Sequence, residues 1–288
     1  MATQAGSVES ARPETDVVVW PRIALLAVLI AALYFRVIPE LVMDWWTDEG
    51  YSFGFLIPPL AGYIAWTRRS AMEIIPSHPD SRGLFLLVIG CLSYLMGAWA
   101  LEYFLSRVSL VIVAAGLVWT LYGWARLKLF LFPLTLLLTM VPLPTIVFYQ
   151  LTTPLQLLAS SAAAAIAQGL GIALYRDGNV LQLVNVTLGV AEACSGLHSA
   201  ASLAVSALLV GYMECRLLRN RVMIVLLALP VSIGLNVLRV TGTALLAEWN
   251  PDMARGFYHL FSGWLVFVAG FGTLYLLARA LNCGSRKS

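Results

Sequence analysis

The chain has 288 residues, 60% of them hydrophobic and 11% charged, with a formal net charge of +3 and a mean hydropathy of +0.84. That composition excludes a soluble globule. The basic residues are spread through the loops rather than clustered, so nucleic acid is not an expected partner.

Residues 1–16 carry Glu9, Arg12, Glu14 and Asp16 among small polar residues and read as a disordered tail. From there to residue 281 apolar stretches of about 17 to 25 residues recur, each long enough to cross a hydrocarbon layer about 30 Å thick. The prediction is an all-α polytopic membrane domain over 17–281, followed by a short tail at 282–288. Spans are expected at 17–37, 51–66, 83–101, 108–124 and 127–143. The first is read as a retained helix, because a mixed-charge tail precedes it and it lacks a clear small-residue cleavage site.

Residues 145–174 are apolar but include Thr152, Thr153, Pro154, Gln156, Ser160, Ser161 and Gln168, a composition open to an interfacial, re-entrant or crossing course. Next, 175–192 contains the turn signal Asp177-Gly178-Asn179 and a mixture of β-branched and polar residues, which predicts a short β-like hairpin outside the hydrocarbon. Three further spans follow at 195–213, 221–249 and 256–281.

Lys and Arg are retained on the cytoplasmic side of a membrane protein. Placing both termini and the loops at 68–82, 126–128 and 216–221 in the cytoplasm puts 13 of the 18 Lys and Arg there. Arg36, Arg107, Arg176 and Arg255 then lie outside, and Arg239 lies within a span. If 145–174 crossed, Arg216, Arg219 and Arg221 would face outward. The count therefore predicts eight crossings of the cytoplasmic membrane, both termini inside, and no net crossing by 145–174.

Four cysteines, Cys91, Cys194, Cys215 and Cys283, form no C-x-x-C pair and no metal-ligand spacing, so neither a disulfide framework nor a metal or other cofactor is indicated. Cys194 lies in VAEACSGLHS, where a polar run gives way to an apolar segment. In the first turn of a helix, unpaired N–H groups and the positive end of the dipole favour the nucleophilic thiolate. The competing reading is a small buried hydrophobe.

Arg239 follows Arg221 by 18 residues, a rise of about 27 Å, and so arrives near the outer face, at the depth of Cys194. A guanidinium in a span costs at least about 2.5 kcal/mol and calls for a purpose, unless it snorkels to the interface. Asn236 and Thr243 share its helix face, and Pro230 offers a kink to aim that stripe. His259 opens the last span at the same depth; it can serve as base and then acid for Cys194, or as an amphipathic interface anchor. His198 is four residues after Cys194 and is a rival base, ranked second because one helix face leaves little room for a substrate. Glu192 either orients an imidazole or ends the hairpin.

The run GNVLQLVNVTLGVAEACSGLHS, then LPVSIGLNVLRVTGTAL around Arg239 and FYHLFSGWLVFV around His259, resembles the exosortase family of bacterial membrane cysteine transpeptidases. The stretches FPLTLLLTMVPLP and YSFGFLIPPLAGYIAW resemble the family's N-terminal half. The resemblance spans about 36–281 and implies a catalytic Cys194, Arg239 and His259; Glu192, His198 and Asn236 remain accessory candidates from their positions in the sequence. It further implies substrates that are exported proteins ending in a Pro-Glu-Pro type signal, a membrane-spanning helix and a basic cluster. The tail is cut on the outer side of the membrane and the new C-terminus passes to an acceptor. Two positions depart from the family: Phe53 stands where histidine is frequent, and His198 where arginine is common.

Two other classes of function use the same residues. Arg239, His259 and the 145–174 segment would line the path of an anionic solute in a transporter, and a scaffold for polysaccharide export would need no chemistry. Neither requires Cys194 as a nucleophile.

Overall fold

A proline, a glycine or a buried polar side chain marks most of the places where one helix of this chain gives way to the next. The computed structural model describes residues 28–100, 103–184, 186–189, 197–250 and 257–281. The tails expected at 1–16 and 282–288 lie outside these residues.

Residues 28–33 are helical, and a turn at 34–36 leads into α1 (Val37–Thr47). The expected first span and following loop are thus corrected to a break and a new helix. Tyr34 is fully buried at the break and shares a 2.9 Å hydrogen bond with Ser109. α1 buries Val37, Leu41 and Trp45 at helical spacing, while Glu40 is exposed.

The span expected at 51–66 is two elements, a 3-10 helix (η1, Glu49–Leu56) and α2 (Ile57–Thr67). Asp48 caps η1 by accepting the Gly50 N–H at 2.8 Å, and Pro58 and Pro59 occupy the first turn of α2, where a missing N–H is harmless. The short α3 (Arg69–Ile74) follows, then α4 (Arg82–Trp99) and α5 (Tyr103–Tyr122), which pack closely on one another. Their seam is built on Gly83, Gly90 and Gly97 of α4, all buried at seven-residue spacing, and Gly116 of α5. With no hydrophobic drive between helices in lipid, close backbone approach through small residues is what holds such a pair.

Gly123, at φ +83°, turns the chain into α6 (Trp124–Leu138), which contains Pro133. The span expected to reach residue 143 instead ends here, because Pro142 and Pro144 lie in the connection that follows. Residues 145–174, for which several courses were open, contain one continuous helix, α7 (Thr145–Gly169, 25 residues), passing through Pro154.

The three-stranded antiparallel sheet has the order β1 (Leu174–Asp177), β2 (Val180–Leu183), β3 (Thr187–Gly189). Asp177 pairs with Val180 across a turn in which Gly178 has φ +59°, a conformation glycine adopts without steric cost. Leu181 and Leu183 are buried against Ala163 and Ala164 of α7 and Val240 of α9 (Leu218–Trp249).

α8 (Leu197–Glu214), α9 and α10 (Phe257–Ala280) pack mutually. The core of this trio includes Leu203, Ala207, Ile224, Ala228, Leu274 and Ala278. Cys215, just beyond α8, is disulfide-bonded, which the cysteine spacing did not indicate. The N-terminal half has its own core, in which Leu41, Trp45, Ile57, Ala61, Leu136 and Met140 meet Val205 of α8. Among the described helices, four are long and apolar enough to cross a membrane: α4, α5, α9 and the 261–280 part of α10; 199–214 of α8 is a shorter apolar helix.

Candidate active site

The level of the trio is fixed by Gly270 of α10, where an added Cβ would meet Leu203 of α8 at 2.7 Å and Leu235 of α9 at 3.2 Å. α8 and α10 begin on one side of this level, and α9 runs past it in the opposite sense. Counted from there, Arg239 is displaced by about 6 Å and His259 by about 16 Å of helical rise, both toward the end at which α8 and α10 begin. Arg239 and His259 are therefore on the same side of the trio, with His259 roughly two turns further out along straight helices.

Cys194 and Glu192 lie outside the described residues. His198 and His259 stand in the first turns of α8 and α10, and their side chains are likewise outside. Arg239 is half-buried on α9. The stripe around it is present: Asn236, one turn before, is 1% exposed, and Thr243, one turn after, donates its hydroxyl to the Arg239 carbonyl at 2.9 Å. That bond spends the hydroxyl on the backbone of the same helix. Pro230 lies inside α9, which continues through it.

At the same end lies a cleft of about 780 Å³ between α1, η1, the start of α5 and the start of α7, not anticipated from the sequence. Its central feature is Arg107, 6% exposed, whose Nη1 lies 2.6 Å from Asp44 Oδ2. Among the described residues Arg107 Nε has no hydrogen-bond partner, although it is fully buried. The guanidinium also faces the Tyr103 ring at 5.4 Å. Glu40 and Asp48 complete the charged lining, and Tyr51, Phe148 and Tyr149 supply aromatic walls. Tyr51 accepts the Leu143 N–H at 3.1 Å. A smaller cavity of about 240 Å³ shares Tyr51 and Leu143 with the cleft and continues to Ala200, Ala201 and Ala204 in the first turns of α8. On its other wall the smaller cavity is lined by Val225, Ala228 and Leu229 of α9.

No signal in the sequence pairs Arg107 with Asp44, 63 positions apart. The usable hint was an arginine at the mouth of a span beside Tyr103 and Phe104. Among the described residues no three His, Cys, Asp or Glu side chains converge as a metal site would require.

The model of the transmembrane exosortase family matches residues 45–276, well over half of the chain. No curated protein matches. No solved structure matches either.

Proposed function

Because the chain belongs to the transmembrane exosortase family, we propose that it is a membrane cysteine transpeptidase that cleaves the C-terminal sorting signal of exported proteins. The observation that carries this reading is the shared end of α8, α9 and α10. The start of α8, the Arg239 turn and the first turn of α10 all belong to that end.

In the proposed reaction His259 takes the thiol proton of Cys194 and the thiolate attacks the scissile carbonyl. Arg239 stabilises the oxyanion, an interaction that strengthens as charge develops on the oxygen. Collapse breaks the C–N bond, the departing amine takes the proton from His259, and the exported protein is left as a thioester on Cys194. An acceptor nucleophile gives its proton to His259, attacks the thioester and regenerates the thiol. With water as acceptor the product is a hydrolysed protein. Glu192, His198 and Asn236 are accessory candidates for orienting these groups.

The substrate class we propose is an exported protein with a Pro-Glu-Pro type tail, a membrane helix and a basic cluster. The site faces outward from the cytoplasmic membrane, with eight crossings and both termini inside. The helices α4, α5, α9 and the 261–280 part of α10 are long and apolar enough to supply four of those crossings. The others use the first span, η1 with α2, α6 with its following turn, and α8, while α7 and the sheet stay at the outer surface.

The test is processing of a co-expressed substrate with such a tail. Wild type is expected to shorten it, and Cys194→Ala, Arg239→Ala and His259→Ala, at equal membrane levels, to leave it intact. His198→Ala is expected to remain active. Processing by Cys194→Ala would return the chain to the transporter or scaffold classes, and loss confined to Cys194 and His198 would move the base to the nucleophile's own helix.

A further inference from the structure

At the opposite end of the bundle α2 ends, α6 begins, α8 ends and α9 begins, and between them lies a groove of about 570 Å³. Its mouth carries three cations, Arg68, Lys128 and Arg221. Arg68 donates to the Tyr212 hydroxyl from Nε at 3.0 Å and from Nη2 at 2.5 Å. Arg221 donates from Nε to the Cys215 carbonyl at 2.9 Å. Both guanidiniums face the Tyr212 ring, at 5.6 and 5.5 Å, and that ring is stacked on Phe132 at 3.7 Å. Lys128 Nζ lies 5.8 Å from the Trp124 ring.

These contacts hold the two arginines in place and leave donors over. Arg68 Nη1, both Nη atoms of Arg221 and Lys128 Nζ have no hydrogen-bond partner among the described residues, and no described carboxylate comes within ion-pair distance of the three side chains. Arginines that merely snorkelled would extend into water rather than lie pinned to a tyrosine and a carbonyl.

Behind the mouth the lining is apolar. Leu131 and Phe132 come from α6, Leu208 from α8, and Val222, Val225 and Leu226 from α9. Leu131, Val222 and Leu226 are exposed, so this wall is open to the side. From Lys128 to Thr135 and from Leu218 to Leu226, the lining follows the two helices for about 10 to 12 Å. A free phosphate would use the mouth but not the wall, and a neutral lipid the wall but not the mouth.

We propose that this groove binds an anionic phospholipid, its phosphate held by Arg68, Lys128 and Arg221 and one acyl chain laid along α6 and α9. The proposal is independent of the acyl-transfer reading, since it uses none of the residues named for it.

The test is native mass spectrometry of the delipidated full chain in neutral detergent, titrated with phosphatidylglycerol or with phosphatidylcholine of the same acyl chains. Wild type is expected to retain phosphatidylglycerol with a preference of about tenfold or more. Lys128→Gln changes an exposed residue with no hydrogen bond to lose, so it keeps the fold; it is expected to cut that preference about fivefold. The triple variant Arg68→Gln, Lys128→Gln, Arg221→Gln should abolish it, and Leu226→Trp, which fills the wall, should weaken both lipids. Equal retention of the two lipids by wild type would overturn the proposal, as would an unchanged preference in Lys128→Gln. Competition by glycerol 3-phosphate as effective as by the lipid would overturn it in favour of a site for free anions.

Discussion

Replacing Gly83 by alanine sets two effects of opposite sign against each other. Alanine favours a helix interior over glycine by about 1 kcal/mol, and by less at Gly83, the second residue of α4. At Gly83, however, the added Cβ would stand 2.8 Å from Thr120 Cα and closer still to the Thr120 N and Oγ1 atoms. Ordinary carbon contacts lie at about 3.5 to 4.0 Å. The obstacle is the backbone of α5, which cannot rotate aside, so the helices must separate by roughly 1 Å. A gap of that size forfeits a quarter to a half of each dispersion contact along the seam, and overpacking of this kind costs about 1 to 3 kcal/mol. The expected outcome is net destabilisation of about 1 to 2 kcal/mol. Gly116→Ala, whose Cβ would lie 2.8 Å from Leu87 N and 3.1 Å from Leu87 Cα, should behave alike. Gly62 and Gly234 meet nothing within 4 Å, and their alanine variants should be neutral or slightly stabilised. The assay is unfolding of the detergent-solubilised chain by SDS titration followed by circular dichroism. If Gly83→Ala were as stable as Gly234→Ala, the close-packed seam would be refuted.

Arg107→Met should lower stability by about 1 to 2 kcal/mol in the same assay. Stranding one member of a buried pair costs about 3 to 5 kcal/mol, but Asp44 is 37% exposed and water offsets much of that. Adding Asp44→Asn should recover part of the loss. Asp80 lies in the loop before α4, and its carboxyl is held below the usual carboxylate range mainly by the Arg82 N–H at 2.9 Å, with Trp119 Nε1 donating at 3.1 Å. A depressed folded value means that its contribution is present above the unfolded value, about 3.9, and is lost as pH falls through the folded one. Asp80→Asn should therefore flatten the acid limb of a thermal-unfolding profile against pH; an unchanged limb would contradict this.

How much was legible in the sequence depended on whether the cause was local. Composition alone specified a helical membrane chain, because 60% hydrophobic residues in long runs leave few alternatives. The Asp177-Gly178-Asn179 signal coincides with the β1–β2 turn, where Gly178 supplies the positive φ. The stripe of Asn236, Arg239 and Thr243 was readable from helical periodicity. The break at 34–36 was not, since it depends on Tyr34 reaching Ser109 across 75 positions. The division of 51–66 was partly written in Pro58 and Pro59, but hydropathy averaging passes over such a signal. Gly54 could not be understood without Trp45, whose indole Cε2 would lie 2.7 Å from any Cβ there. The charged cleft had the same obstacle: Arg107 and Asp44 mean little until the fold brings them together.

The central claim is that an acyl group passes through Cys194. Its most direct test is mass spectrometry of the Cys194 peptide from wild-type membranes quenched in acid while processing a substrate with a Pro-Glu-Pro type tail. The account predicts a substrate-derived thioester on Cys194, removed by neutral hydroxylamine and missing from Cys194→Ala. A substrate cut at full rate with no adduct on Cys194, and cut equally by Cys194→Ala, would contradict it.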